Sequence, residues 1–569
     1  MPAKLEQDIC AGDAVRVGEF SRAGVWMDNE TVIRLDSDTT LTFLPPPDGV
    51  DGIVDLLRGA VHFLSRVTRS LQVRTPFVNA GIEGTEFTVR NSDNGTQVTV
   101  FEGQVALENR VGRLKLGAGE SAIVAASSAP RPLLLKTPRD TVTWALYYPP
   151  IVDYQLPTPS HQTTPWVKRA LAAYGAGRTD EAIEQLRTSA APPVQPAILN
   201  LRAGLLLSVG RVTEAESDLD KVRVMAGDDG VATALRAIIA LAQGQIDTAL
   251  DLAQTATELA PDSPTTWVAL SYAEQARFDL PAAALALEAA LDVSPNNALA
   301  YARMAELRLS LGERQAALAA ARRAVELNPA LARTQTVLGF AELSALAARQ
   351  AEADFIQAIE LNSADPAPRL GLGLALIRQG RLERGREQIE IAASLDPGSG
   401  LIRSYLGKAY FQERRDGAAA TEFAMAKDLD PSDPTPWFYD AFRSLADNDP
   451  IGALRNLEQS IALNDNRAVT RSSLLLDGDR TARTGDQGQV FRELGFERLI
   501  PGLTARSLIT EPGSPAIHRL QASANRPREQ SARVSELLQW QLNAPLTNNL
   551  LPIQQTEADL VVTSAAELL

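Results

Sequence analysis

The chain has 569 residues, 45% hydrophobic and 22% charged, a composition that supports packed cores, excludes wholesale disorder and, at this length, calls for more than one domain. A formal net charge of -15 and a pI of about 4.9 set up a field that repels phosphate backbones and anionic lipid, which argues against nucleic acid as a partner. The single cysteine, Cys10, rules out an intrachain disulfide and a multi-cysteine metal site, and no run reaches the ~18 apolar residues of a membrane-spanning helix.

Residues 1–10 lack the charged start and apolar stretch of a signal peptide. The protein is therefore expected either in the cytoplasm or with a leader removed or lying upstream of Met1. Cys10, preceded by Gln7-Asp8-Ile9, lacks a lipoprotein context and is expected to be an ordinary buried or half-buried thiol. From there to about 130, short β-branched runs separated by Gly, Asp and Asn turns predict strands at Ala23–Met27, Thr31–Leu35, Thr40–Phe43, Leu71–Val73, Phe87–Val89, Val98–Phe101 and Leu114–Leu116. Ser92-Asp93-Asn94-Gly95 is one such turn. His62 is read as a structural position inside this all-β module.

Thr141 to Tyr148 suggest a short helix, and Pro149-Pro150 with Leu156-Pro157-Thr158-Pro159 an extended linker. From about 163 to 467 a spacing of 34 residues takes over. Pro261, Pro295 and Pro329 keep it, as do Pro397 and Pro431, and Ala249, Ala283, Ala317, Ala351, Ala419 and Ala453 share one phase. Such a period marks a helical solenoid whose units bury their apolar faces only by stacking on neighbours. Nine units start at about 163, 196, 230, 264, 298, 332, 366, 400 and 434. Small residues at positions 8 and 20 let the two helices of a unit approach, large ones at 4, 7 and 24 fill the layer, and Pro at 32 stops the second helix. Gly177, Gly210, Gly244, Gly312 and Gly380, all at position 15, suit the turn between the helices. After 467 the phase breaks, but Gly495 and Pro512 again lie 17 apart, so a degenerate tenth unit near 481–514 and a closing helix over Val534–Leu542 are expected, followed by an extended or disordered tail from Pro545.

Residues for chemistry are few. Of three histidines, His62, His161 and His518, no two share a metal-ligand spacing, and His-Glu-x-x-His, Cys-x-x-Cys and Gly-x-Ser-x-Gly are all lacking. Gly371-Leu372-Gly373 falls inside a repeat helix, so it is no dinucleotide loop. Arg378, Arg381, Arg384 and Arg386, and Arg526 with Arg528, are expected on solvated helix faces. Neither catalysis nor a metal or cofactor is expected. An enzyme carrying a helical targeting arm would need more chain than remains after 467.

Two stretches carry family resemblances. Thr75-Pro76-Phe77-Val78-Asn79-Ala80-Gly81-Ile82-Glu83-Gly84-Thr85-Glu86-Phe87, then Val98 to Val105 and Leu116-Gly117-Ala118-Gly119-Glu120, with Gly12-Asp13-Ala14-Val15 upstream, resemble the FecR domain. Gly84, Thr85 and Glu86 are read as fixing strand geometry. The resemblance implies an envelope setting and protein binding; the name-giving members relay signals to a sigma factor through a preceding cytoplasmic segment and a membrane helix that do not match here. The 34-residue units resemble tetratricopeptide repeats: the unit from Gly400 has Leu406, Gly407, Tyr410, Ala419, Phe423, Ala426 and Pro431 where that pattern expects them.

The expected architecture is thus multidomain: a FecR-like all-β domain over 1–148, a Pro-rich linker over 149–162, an all-α right-handed superhelix of nine repeats over 163–467, a degenerate repeat with capping helices over 468–544, and a tail over 545–569. Tetratricopeptide arrays bind peptides along the first helix of each unit, at positions that include 5 and 9. Here these positions are largely apolar, which nominates Ile238, Val268, Tyr272, Phe340, Leu370, Leu374, Lys408, Phe438 and Phe442 as a partner-binding groove. Whether superhelical curvature buries them instead is left open by the sequence. The carboxylate clamp for chaperone tails, Lys at 5 and Asn at 9, is missing. The expected function is a non-enzymatic scaffold or signal-sensing adaptor of the bacterial envelope, or periplasm, that holds an apolar or aromatic protein segment, the chain's own tail included. The alternative is the soluble part of a larger outer-membrane assembly or transport protein.

Overall fold

A computed structural model describes residues 7–19, 22–27, 31–45, 52–65, 70–134, 147–152, 165–176, 178–188, 195–277, 279–311, 313–463 and the single residues 490, 504 and 520. These form two compact units, one centred on strands and one on helices. The expected helix over 141–148, most of the linker, His161, His518, Gly177, Gly312, Arg526, Arg528 and nearly all of 464–569 lie outside the described residues.

The strand unit holds β1 (Ala14–Arg16), β2 (Ala23–Trp26), β3 (Thr31–Leu35), β4 (Thr40–Leu44), β5 (Gly52–Ser65), β6 (Ser70–Arg74), β7 (Asn79–Ser92), β8 (Gly95–Glu108), β9 (Arg113–Gly117), β10 (Ser121–Val124) and β11 (Arg131–Pro132). All pairings are antiparallel except β5 with β6. Three 14-residue strands, β5, β7 and β8, organise it. The first half of β5 pairs with β4 and β6, its second half with β3 and β7. The partner switch falls at Gly59, whose φ of +103° and close approach to Thr39 exclude a side chain. Within the core the rings of Phe63 and Phe87, register partners, stack 4.6 Å apart. β7 and β8 meet in the expected Ser92–Gly95 hairpin.

Two readings of this unit need correction. β5 is not among the expected strands, because both of its faces are largely buried and it shows no alternation to detect. Cys10 is exposed: its backbone N–H is tied to Asp13 Oδ2 at 2.8 Å in the loop ahead of β1. Glu86 sits at a register shift between β7 and β8, as a residue that fixes strand geometry does, and its buried carboxyl lies 3.1 Å from His62 Nε2.

The helical unit contains eighteen helices among the described residues, two per repeat. First helices are α1 (Pro165–Gly175), α3 (Pro196–Ser208), α5 (Gly230–Ala242), α7 (Pro264–Ala276), α9 (Ala298–Ser310), α11 (Ala332–Ser344), α13 (Pro366–Arg378), α15 (Gly400–Gln412) and α17 (Pro434–Ala446). Second helices are α2 (Thr179–Thr188), α4 (Val212–Ala226), α6 (Ile246–Leu259), α8 (Leu280–Val293), α10 (Arg314–Leu327), α12 (Ala348–Leu361), α14 (Leu382–Leu395), α16 (Asp416–Leu429) and α18 (Pro450–Ala462). From α3 onward each first helix starts 34 residues after the previous one. α1, α5, α7, α9, α11, α15 and α17 each pack on the second helix of their own repeat, and α5, α7, α9, α11 and α15 also on the next first helix, giving a solenoid-like array.

Side-chain size enforces the repeat. The position-20 alanines Ala249, Ala283, Ala317, Ala351, Ala419 and Ala453 are all fully buried. Where position 24 is phenylalanine, position 8 is glycine: a Cβ on Gly339 would stand 2.8 Å from the Phe355 ring, and one on Gly407 2.7 Å from that of Phe423. Asp229, Asn297, Asp365, Ser399 and Asp433 cap first helices by accepting backbone N–H bonds. Position 15 is left-handed in every unit where φ is recorded. Gly210, Gly244 and Gly380 take it freely, but Leu346 (φ 69°), Arg414 (φ 59°) and Asn448 (φ 60°) take it against the Cβ clash.

Two stability changes follow. Leu346→Gly, at a side chain 54% exposed, is expected to stabilise by about 1 kcal/mol, the relief of left-handed strain less the backbone entropy glycine adds. Gly407→Ala is expected to destabilise by about 1–3 kcal/mol through overpacking against Phe423. Urea unfolding midpoints check both, and a stabilised Gly407→Ala protein would contradict the packing.

Candidate functional site

Successive first helices pack side by side, α5 on α7, α7 on α9, α9 on α11, α11 on α13 and α15 on α17. Positions 5 and 9 of each fall on the surface these helices share. Of the nine nominated residues, Ile238, Val268, Leu370, Leu374, Lys408 and Phe438 are buried, while Tyr272, Phe340 and Phe442 are half-buried. The aromatic members make definite contacts. Phe340 meets the Phe355 ring edge-on at 4.9 Å, and Phe442 meets Phe438 edge-on at 4.8 Å.

Lys408 is not a free cation in an apolar trough. Its Nζ donates to the Tyr439 hydroxyl at 3.1 Å and lies 4.5 Å from the Tyr439 ring centroid, with Tyr405 at 5.8 Å. The geometry groups Tyr405, Lys408, Phe438, Tyr439 and Phe442 at the end of the array, and Tyr405 and Tyr439 were not among the nominated residues. Both lie at position 6, to which the repeat pattern gives no role.

A polar network surrounds Tyr272. The Arg303 guanidinium carbon lies 3.8 Å from the Tyr272 ring centroid, and Arg303 donates to Ser271 Oγ and to the Ser271 carbonyl at 3.2 Å each. Glu306 receives Arg303 at 3.0 Å and Arg333 at 2.5 Å, and Arg333 also donates to the Tyr272 hydroxyl at 3.3 Å. Three consecutive units are thereby tied together. Burial alone would raise the Glu306 carboxyl, but Arg333 and Arg303 outweigh it and hold it below the usual carboxylate range. Burial pushes the Tyr272 hydroxyl up. The sequence signal for this network was the acid at position 9, three residues after an arginine.

The basic cluster of α13 and α14 is divided. Arg384 is exposed as expected, but Arg386 is buried, 2.7 Å from Glu390 Oε1 and 2.8 Å from Glu413 Oε2. A buried acid one helical turn away, Glu390, draws it inward. Two residues after Phe340, Glu342 faces Asp354 on α12. Burial, and then the charge of Glu342 and a hydrogen bond with it, push the Asp354 carboxyl up to about 7. No group of acidic, histidine or cysteine side chains that could hold a metal ion is found among the described residues.

Strands followed by helix pairs that recur every 34 residues define a class: a β module joined to a helical-repeat array. Family models then name both parts. The model described as FecR protein matches residues 13–106, and tetratricopeptide-repeat models match 167–230, 234–298, 298–331, 341–400 and 370–434. The chain carries a FecR domain followed by tetratricopeptide repeats. No curated protein matches it. Among solved structures, it is similar to a candidate anti-sigma factor from Parabacteroides distasonis at 18% identity, over 24% of this chain and 69% of that one, with a TM-score of 0.22. A thermophilic tetratricopeptide-repeat protein from Thermus thermophilus aligns at 22% identity over 32% of this chain and 99% of that one, with a TM-score of 0.29. A repeat protein from Parabacteroides merdae aligns at 17% over 42% and 95%, with a TM-score of 0.31.

The Glu342–Asp354 pair makes stability depend on pH. The folded pKa of Asp354 lies above its unfolded value of 3.8, so the folded state binds the extra proton and loses stability as pH rises from about 4 to about 7. Asp354→Asn is expected to flatten this fall in urea midpoints between pH 5 and pH 8. A variant with an unchanged pH slope would contradict the shared proton.

Proposed function

We propose that this protein is a non-catalytic adaptor of the bacterial cell envelope, which holds an apolar or aromatic segment of a protein partner on the first-helix surface of its repeats. The observation that carries the reading is the set of half-buried aromatic side chains at position 9, Tyr272, Phe340 and Phe442, large anchors held rigid yet reachable. The FecR domain, matched over 13–106, supports the reading of a second protein-binding module and of an envelope setting. Among the described residues no helix is long and apolar enough to cross a membrane.

On this reading the domains run 1–148, 163–467 and onward through a tenth repeat at 481–514. Support for the tenth repeat comes from Val490 and Thr504, both helical and buried. Counted from 481 they occupy positions 10 and 24, which are buried in the described repeats, as at Leu307 and Phe423.

The test is capture. Full-length protein immobilised as bait in envelope extract is expected to retain a discrete partner, and Phe442→Asp to reduce its recovery at least about tenfold, a change worth ~1.4 kcal/mol. Phe340→Gln gives a second bait should Phe442→Asp melt at a lower temperature. Recovery unaffected by both substitutions would contradict the groove assignment.

A further inference from the structure

In four repeats a polar side chain at position 23 of the second helix closes the space against the first helix. Arg202 donates to Asp218 at 2.6 Å, Arg369 to Gln388 at 2.6 Å and Arg403 to Glu422 at 3.2 Å, and Asn456 donates to Asp440 at 3.3 Å. The repeat that starts at Ala298 has Ala320 at this position and Ala319 beside it. The preceding repeat also has an alanine there, Ala286, but the broader Trp267 stands at position 4 and donates to the Pro261 carbonyl at 2.8 Å. With Tyr301 in place of that indole, a cleft of about 360 Å³ opens between α8 and α10 beside α9. That volume suits one small molecule rather than a length of chain.

The walls differ in charge. From α8 come Glu288 and Asp292, one helical turn apart and both exposed, and from one face of α9 come Tyr301, Met304 and the half-buried Arg308. The side chains of Glu288, Asp292 and Arg308 have no hydrogen bond or ion pair among the described residues. Arg323, on the α10 rim, is already engaged by Glu326 at 3.2 Å and Asn296 at 3.4 Å. Opposite charges that line one cleft without pairing stand further apart than a direct ion pair allows. A ligand carrying both signs satisfies both walls at once, whereas a simple cation leaves Arg308 unmatched and a simple anion meets two carboxylates. The ammonium and carboxylate of an α-amino acid supply both signs within a few bonds, and a guanidinium receives the carboxylate through paired N–H donors. Between the charges, the Tyr301 ring, the Met304 thioether and Leu291 offer an apolar surface on which an aromatic ring packs favourably.

We infer that this cleft binds a free α-amino acid with an aromatic side chain, its ammonium held by Glu288 and Asp292 and its carboxylate by Arg308. Positions 4, 7 and 11 of α9 face away from positions 5 and 9, so the site is separate from the partner-binding surface proposed above and does not depend on it. A ligand there touches two repeats at once and stabilises the junction between them.

The probe is L-phenylalanine, titrated calorimetrically into the full chain at pH 7 beside phenethylamine, which lacks the carboxylate, and 3-phenylpropionate, which lacks the ammonium. L-Phenylalanine is expected to bind at one site, at least about tenfold more tightly than either analogue. Arg308→Gln is expected to erase the preference over phenethylamine, and Glu288→Gln combined with Asp292→Asn the preference over 3-phenylpropionate. Ala320→Gln, which supplies the side chain that Gln388 provides in the repeat from Pro366, is expected to abolish binding of all three while melting as the parent does. Should Ala320→Gln melt lower, the charge variants, which alter only exposed or half-buried side chains, decide the matter. Failure of L-phenylalanine to bind, equal binding of either analogue, a preference over phenethylamine that survives Arg308→Gln, or binding retained by a stably folded Ala320→Gln protein each overturns the site.

Discussion

The array depends on the close approach of the two helices inside each repeat: position 8 of the first helix is small in every unit, and it is glycine where the second helix carries phenylalanine at position 24. Gly373 against Ile389, Gly407 against Phe423 and Gly339 against Phe355 show it, each with less than 3 Å to where a Cβ would sit. Fully buried alanines at position 20 extend the same close approach along the helix pair. Two helices held this near leave their outer faces to the neighbouring unit. The 34-residue period is thus a packing constraint before it is a binding device.

That constraint also shapes the surface the first helices share. Apolar side chains at positions 5 and 9 are drawn into contacts with adjoining units, so Ile238, Val268, Leu370 and Leu374 contribute to cohesion between repeats. Aromatic rings too large to be swallowed stay half-buried, and polar groups there are secured by partners, as in the Arg303–Glu306–Arg333 network and the Lys408–Tyr439 bond. The resulting surface is mostly pre-organised, which lowers the ordering entropy a partner must supply.

Much of this was legible in the residues. Helix starts could be placed because proline at 32 and small residues at 8 and 20 act locally, and the left-handed turn at 15 could be recognised wherever glycine filled it. Leu346, Arg414 and Asn448 hide the same turn behind side chains that pack or point to solvent. In the β module, alternation reveals strands with one wet face, so β5, buried on both, was invisible although it is central to the pairing. Arg386 and Cys10 were misplaced for a related reason: burial of a charge depends on an acid elsewhere in the fold, and exposure of a thiol on the course of a loop. The Glu342–Asp354 pair joins residues twelve apart on different helices, a proximity that no charge pattern announces.

A rigid helical surface carrying half-buried aromatics, joined to a FecR domain, is the physical basis for treating this protein as an adaptor. The most direct measurement is site-specific photocrosslinking in cells, with a benzophenone amino acid placed at residue 340 on the first-helix surface and, as control, at residue 285, where Leu285 is 66% exposed on a second helix. The account predicts a discrete adduct, larger than the 61.1 kDa chain, from position 340 and none from position 285. No adduct at 340, or the same adducts from both positions, would contradict it.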